Sequence, residues 1–289
     1  MAAVEQGKET SGAPVLSVRG LTTSFRIGTE WRSVVRNMNL DIAAGETVAI
    51  VGESGSGKSV TSLSIMRLLP QITSRIEGSV KLEGRELLTL DAEQMRQVRG
   101  NQISMIFQEP MTSLNPIFPI GKQIAEAITC HRDISNAEAK TEVLRLLDRV
   151  RIPNAKGRFD EYPHQFSGGM RQRVAIARAL SLDPAVLLMD EPFGALDAIT
   201  RDVMSQSLLE IWERTGKTVV LVTHSIDEAV HLSRDVHVLG IRPGRITKSL
   251  DIDLPYPRDL TLAEKPEFLR LMVQMRTALR ASHQPGETS

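Results

Sequence analysis

Eight consecutive residues, Gly52-Glu53-Ser54-Gly55-Ser56-Gly57-Lys58-Ser59, follow the spacing G-x-x-x-x-G-K-S. Glycines spaced in this way let a backbone curl so that its N–H groups converge on phosphate oxygens. A lysine at the seventh position reaches the β- and γ-phosphates of a nucleotide, and the hydroxyl after it can hold Mg2+. Two adjacent acids, Asp190 and Glu191, close the apolar run Ala185-Val186-Leu187-Leu188-Met189. The first carboxylate can coordinate a divalent ion, and the second can take a proton from an attacking water. Alone, that pattern also suits a buried strand capped by solvated acids; beside a phosphate loop, the chemical reading takes precedence. His224 ends a second apolar run, 219–223, and Gln108 ends a third, 103–107. An imidazole there can hydrogen-bond a phosphate or a water, and an amide can orient a water or complete a Mg2+ shell. Taken singly, a histidine is as well explained by structure, and one glutamine is a weak signal. Ser167-Gly168-Gly169 opens a helix. Serine can cap it, and the glycines leave N–H groups exposed as a second anion cradle. One nucleotide needs one cradle, so the second is either a plain cap or serves a nucleotide held by another subunit.

These groups need elements to hold them. Residues 47–51 read as a buried strand before the phosphate loop, and residues 60–69 as a helix after it, ended by Pro70. That helix adds its N-terminal partial charge to the loop. Residues 15–19 and 34–42 alternate as strands, and residues 78–84 and 103–108 add two more. Between 113 and 182 the character changes. Apolar residues recur at helical spacing over 120–129 and 137–150, as in a small helical insertion, and a further helix runs from Ser167 to Leu182. Strand 185–189, helix 200–214, strand 218–222, helix 226–232 and strand 236–239 then alternate, which predicts a parallel sheet covered on both faces. The strand ending in Asp190 is expected beside the phosphate-loop strand. Residues 242–245 are a turn, 254–258 are broken by proline, and 266–280 read as a final amphipathic helix.

Bulk composition narrows the classes. The chain has 289 residues, with 35 basic and 35 acidic side chains. A balanced charge gives no general attraction to nucleic acid or anionic lipid. No apolar run approaches the ~18 residues that a membrane-spanning helix needs. Residues 1–14 are polar and read as a disordered N-terminus without a secretory signal. A single cysteine, Cys130, excludes a disulfide framework. His131, His164, His231, His237 and His283 show no metal-ligand spacing.

The phosphate loop, Gln108, Phe166-Ser167-Gly168-Gly169-Met170, Leu187-Leu188-Met189-Asp190-Glu191-Pro192, Ala195-Leu196-Asp197 and His224 occur in this order. Their order and spacing resemble the ATP-binding subunit of an ABC transporter over roughly residues 15–250. The resemblance implies an α/β fold: a P-loop core with a mostly parallel sheet, an N-terminal antiparallel β subdomain and a helical subdomain at about 113–182, with a tail over 251–289. It implies ATP and Mg2+ as ligands. Gly52 to Ser59 and Val60 would surround the phosphates, and Phe25 falls where the family places an aromatic under adenine. Ser59, Asp190 and Gln108 would serve the metal. Glu191 would be the catalytic base and His224 the residue that senses the γ-phosphate. Two subunits would close head-to-tail on two ATP molecules, with Ser167, Gly168 and Gly169 of one subunit facing the nucleotide bound by Lys58 of the other. Asp197 would help to organise the opposite site. Met170 stands where glutamine is commoner, with Ser-Gly-Gly intact. The implied partners are transmembrane permease subunits, a second ATP-binding subunit, and an extracytoplasmic solute-binding protein acting through the permease. The implied place is peripheral, on the cytoplasmic face of the inner membrane, and no nucleic acid is expected.

The solute class divides the chain. The phosphate loop and Ile106-Phe107-Gln108-Glu109-Pro110-Met111-Thr112-Ser113-Leu114-Asn115-Pro116 resemble peptide and nickel importers. Asp190-Glu191-Pro192-Phe193-Gly194-Ala195-Leu196-Asp197-Ala198, Thr223-His224-Ser225-Ile226-Asp227-Glu228-Ala229 and Arg242-Pro243-Gly244-Arg245-Ile246 resemble nitrate, sulfonate and taurine importers. The two readings stand level. The alternative to transport is a soluble ATPase of the same class. Repair types carry long coiled coils or cysteine zinc modules, and ribosome types carry two ATPase units; this sequence has neither feature.

Overall fold

The structure, a computed structural model, describes residues 13–108, 114–256 and 258–282. Most of the tail expected over 1–14, the segment 109–113 and His283 lie outside them.

Strands β1 (Leu16–Ile27), β2 (Glu30–Ile42), β4 (Ser74–Leu82) and β5 (Arg85–Glu86) form an antiparallel sheet in the order β2-β1-β4-β5. Ile27 pairs with Glu30 across a two-residue turn, where Gly28 takes a φ of 63°. Such tight turns need positive φ, which glycine adopts without a Cβ clash. Strands β3 (Thr47–Val51), β6 (Ile103–Ile106), β7 (Val186–Asp190), β8 (Thr218–Thr223), β9 (Asp235–Leu239) and β10 (Ile246–Asp251) form a second sheet in the order β10-β9-β3-β8-β7-β6. All neighbours in it are parallel except β9 and β10.

This order corrects one expectation. The strand ending in Asp190 is not beside the phosphate-loop strand: β8, which leads into His224, lies between β3 and β7. Apolar runs show that strands are buried on both faces, but they do not encode which strands are neighbours.

The helices are α1 (Lys58–Ile65), α2 (Ala92–Val98), α3 (Ile120–Thr129), α4 (Asn136–Arg149), α5 (Ala155–Arg158), α6 (Gly168–Ala179), α7 (Ala198–Thr215), α8 (Ile226–Leu232) and α9 (Pro266–Ala281). Alternate residues of the parallel strands feed two separate cores. Ala49, Val51, Leu187, Met189, Val219 and Leu221 pack on one face with α3, α4, α6, α7 and α9. Val48, Ile50, Val186, Leu188, Val220 and Val222 pack on the other with the antiparallel sheet, α1 and α2. Each fully buried aliphatic side chain contributes about 1.5–3 kcal/mol relative to exposure. The sheet is thus clamped from both sides, and only its carboxyl edge is left for chemistry. No helix among the described residues is long and apolar enough to cross a membrane.

Candidate functional site

Four strand ends meet at that carboxyl edge. Gly52 follows β3, Gln108 lies just beyond β6, Glu191 follows β7 and His224 follows β8. Parallel pairing in register sets them side by side. The loop after β3 runs through Gly55 at φ 82° to Gly57 at φ 92°, the N-cap of α1. Gly52 is buried, whereas Glu53, Ser54 and Gly55 are exposed. Val60 sits in the first turn of α1 and packs at the edge of the second core.

Lys58 is almost wholly buried, at 4% exposure. Its Nζ donates to the loop carbonyls of Gly52 at 2.8 Å and Glu53 at 2.9 Å. It also lies 3.7 Å from Glu191 Oε1. Burial lowers the Lys58 pKa, and the charges of Glu191 and Asp190 oppose that shift. The ammonium therefore sits under the loop, where a phosphate chain with its own negative charge would favour it further.

The Ser59 hydroxyl donates to Asp190 Oδ1 at 2.9 Å. Asp190 is 5% exposed, and burial pushes its carboxyl above the usual range, against the Ser59 hydrogen bond. A half-buried hydroxyl beside a buried carboxylate held at a desolvation cost is a pair of hard oxygens that suits a small divalent cation. Among the described residues no cluster of three His, Cys, Asp or Glu side chains forms a metal site, so phosphate oxygens and water would complete the shell.

Glu191 is the hub. Its Oε2 accepts from Gln108 Nε2 at 3.1 Å and from His224 Nδ1 at 3.0 Å. A carboxylate only accepts, so His224 carries its proton on Nδ1 and keeps Nε2 for another partner. Glu191 has a φ of 45°, rare for a residue with a side chain, and its N–H donates to Val222 O at 2.7 Å. Strain of this kind costs on the order of 1–3 kcal/mol and persists where neighbours over-determine the backbone.

Ser167, Gly168, Gly169 and Asp197 form a second group. Ser167 caps α6, its Oγ accepting from the Met170 N–H at 3.3 Å. Asp197 caps α7, accepting from the Thr200 N–H at 2.9 Å and the Thr200 hydroxyl at 2.7 Å. Those hydrogen bonds lower its pKa. A Cβ added to Gly169 would stand 2.9 Å from Thr200 Cγ2, so the two caps pack together. No hydrogen bond or ion pair among the described residues joins Ser167, Gly169 or Asp197 to the Lys58 cluster. Phe25 is half-buried on β1, paired with Arg32 and Ser74, two residues beyond the partner of Val35.

One network was missed from sequence. The Thr223 hydroxyl donates to Glu228 Oε2 at 2.6 Å and accepts from the Ser225 N–H at 3.0 Å. Glu228 is buried, its pKa raised by burial, and lies 3.7 Å from Arg201 Nε. Arg201 in turn donates to Leu196 O at 3.1 Å. The segment that carries His224 is thereby tied to the segment that carries Asp197. The available signal was Ser225-x-x-Glu228 opening an apolar helix, a capping pattern.

Comparisons with known proteins give the family and the fold. Residues 35–194 match the ABC transporter family. An ATP-binding protein of Brucella abortus, provisionally assigned to peptide import, is 41% identical over 256 residues, covering 87% of this chain and 77% of that protein. A protein of Brucella ovis with the same provisional assignment is 45% identical over 245 residues, covering 83% and 72%. Among solved structures, an ATP-binding cassette in a dimeric post-hydrolysis state bound to ADP and Pi superposes with a TM-score of 0.71 at 30% identity, over 83% of this chain and all of that one. The cbiO1 protein of Clostridium perfringens, part of the transporter complex cbiONQ, shares the fold with a TM-score of 0.70 at 22% identity, over 94% of this chain and 98% of that one. The chain belongs to the ABC transporter family, as its ATP-binding and ATP-hydrolysing subunit.

Proposed function

We propose that the chain powers the import of peptides through a membrane permease, as one of two ATPase subunits. The observation that carries the catalytic part is the hub at Glu191, on which Gln108, His224 and Lys58 converge. Glu191 accepts the proton of the attacking water, His224 holds the water or the γ-phosphate, and Lys58 neutralises charge on the β- and γ-phosphates. Ser59 and Asp190 would hold Mg2+, with Gln108 as the residue that links the site to the segment after β6. When bound, Mg2+ neutralises charge that develops on the phosphate oxygens. Phe25 offers its ring to adenine.

Among the described residues no hydrogen bond or ion pair joins Ser167, Gly169 or Asp197 to Lys58 within one chain, which supports a head-to-tail pair in which they and Gly168 face the partner's nucleotide. ATP bound across both surfaces favours the closed pair, and loss of the γ-phosphate lets it reopen. Residues 15–250 act as the cassette, about 113–182 as its helical subdomain, and 251–289 as a tail. The permease docks near Gln108 and the helical subdomain on the cytoplasmic side of the inner membrane, and a solute-binding protein delivers the peptide from the other side.

Peptide import is preferred because the relatives above are assigned to it. The nitrate, sulfonate and taurine reading, carried by residues 190–246, gains no support from them. The test is a pull-down of tagged Glu191→Gln chain from its native membranes with ATP, followed by mass spectrometry. A peptide-type permease pair with a second, different ATPase is the expected result. A single nitrate- or sulfonate-type permease with no other ATPase would overturn the substrate class.

A further inference from the structure

We propose that Gly244 is a positioning residue for the phosphate loop, and that the turn 242–245 is the wall against which this loop is built. The proposal rests on the reading of residues 52–59 as the nucleotide-phosphate loop and goes beyond it, because nothing in that reading assigns a role to the β9–β10 turn.

Three parts of the molecule meet at Gly244. The Gly244 N–H donates to Val34 O at 2.7 Å, and the Arg36 N–H donates to Gly244 O at 2.9 Å. The turn of the parallel sheet is thus stitched to β2 of the antiparallel sheet. The same stretch of β2 touches the phosphate loop: a Cβ on Gly57 would stand 2.9 Å from Val35 Cγ2 and 3.2 Å from Val34 O. The turn touches it too. A Cβ on Gly244 would fall far inside van der Waals contact distance of the Ser56 carbonyl oxygen, 3.2 Å from the Ser56 carbonyl carbon and 3.1 Å from Val34 O. Every one of these atoms is backbone, so no side chain can swing aside.

Ser56 has no room to retreat. It is fully buried, and a Cβ on Gly52 would meet its Oγ at 2.6 Å and Leu239 O at 2.9 Å. Its carbonyl oxygen belongs to the same rigid peptide plane as the Gly57 N–H. Pushing the oxygen away from the turn therefore tilts the N–H that the loop aims at phosphate. A small tilt matters, because misplacement by about 1 Å can cost two orders of magnitude in such sites.

Gly240, at the other end of the same hairpin, is the natural control. Its Cβ would stand 2.8 Å from Thr247 Cγ2, a rotatable methyl, and touches no part of the phosphate loop. Neither glycine has positive φ, so alanine is conformationally allowed at both.

The experiment compares the full wild-type chain with Gly244→Ala and Gly240→Ala, measuring the dissociation constant for ADP with Mg2+ and the melting temperature. Gly244→Ala should weaken ADP binding at least about tenfold, while Gly240→Ala stays within about twofold at a similar loss of melting temperature. Wild-type affinity in Gly244→Ala, or equal weakening in both variants in step with lost stability, would overturn the proposal. Should Gly244→Ala not fold, amide exchange on the wild type decides. ADP should slow exchange at Gly57 and also at Gly244 and Arg36; protection that stops at the loop would overturn the clamp. A wild type that does not bind ADP at all would overturn the phosphate-loop reading itself, a result distinct from a loss confined to Gly244→Ala.

Discussion

Glu191 carries the largest chemical consequence for a single atom change. Replacing one carboxylate oxygen by an amide keeps the side chain's shape and its place next to Gln108 and His224, but removes the proposed base. Glu191→Gln should lower kcat by about 10²–10⁴-fold with ADP affinity changed little, as steady-state phosphate release and equilibrium binding would show. Near-normal turnover would remove Glu191 from the role of base. A second residue-scale effect lies away from the site. Asp235 is half-buried, and burial, together with a hydrogen bond to Glu46 and the charges of Glu46 and Asp251, pushes its pKa up to about 6. The folded chain then holds this proton more tightly than the unfolded chain, whose aspartates titrate near ~3.9. Stability contributed by the protonated form is present below that value and is lost as pH rises to about 6. Asp235→Asn should therefore stabilise the protein at pH 7.5, by about 1 kcal/mol once solvent screening is allowed for. The gain should vanish near pH 4, and urea midpoints at the two pH values would check it.

At the scale of elements, the segment after β10 is bound more firmly than its proline-broken sequence suggests. Arg258 is 1% exposed. Its Nη1 donates to Val230 O at 2.9 Å and Ser233 O at 2.7 Å, closing the end of α8. Its Nη2 donates to Ile252 O and Leu254 O, both at 3.1 Å, and the guanidinium lies 4.2 Å from the centre of the Tyr256 ring. Five donors in a planar fork reach carbonyls on two segments from separate nitrogens, whereas a lysine brings three donors on a single nitrogen. Arg258→Ala leaves several buried carbonyls unpaired and should cost about 2–4 kcal/mol, with Arg258→Lys recovering little of it; thermal and urea denaturation would measure both. Because α8 begins just after His224, loosening its far end should also be visible as faster amide exchange over α8. Thr223 and Glu228 restrain its near end, so the helix that follows His224 is held at both termini.

For the whole molecule, the proposed head-to-tail pair makes a prediction about assembly. Lys58, Ser59, Asp190, Glu191, Gln108 and His224 are joined by hydrogen bonds and ion pairs, and Ser167, Gly169 and Asp197 meet where the caps of α6 and α7 pack; in the proposed pair each set takes one side of a shared nucleotide. Because this 31.9 kDa chain carries both sets, a slowly hydrolysing form isolated from any second ATPase should pair with itself when ATP joins them. Light scattering of Glu191→Gln should show the mass double with ATP and Mg2+ and return to the monomer value with ADP. Adding Ser167→Arg, which fills the second surface, should abolish doubling while leaving nucleotide binding to the single chain intact. A pair that forms equally well with ADP, or survives Ser167→Arg, would refute ATP-driven closure through these residues.

Local spacing carried much of this protein. G-x-x-x-x-G-K-S needs a particular backbone path, so residues 52–59 could be located without a structure, and the flanking strand 47–51 has the same bounds in both. Helices at 120–129 and 226–232 also agree, because apolar periodicity is written in neighbouring residues. The helix Ala92–Val98 was overlooked although Asp91 and Gln94 form a capping box. Strand Ile246–Asp251 was overlooked because its mostly exposed residues show no apolar alternation. Relations between distant residues were settled only by the tertiary structure. It set β8 between β3 and β7, buried Arg258 among carbonyls from two segments, linked Thr223 to Glu228 and Arg201, and brought Gly244 against Ser56. Sequence determines which backbone shapes are cheap over a few residues. Neighbours in a sheet, partners of a buried charge and the walls of a loop depend on contacts between segments far apart in the chain, and those exist only once the two cores have packed.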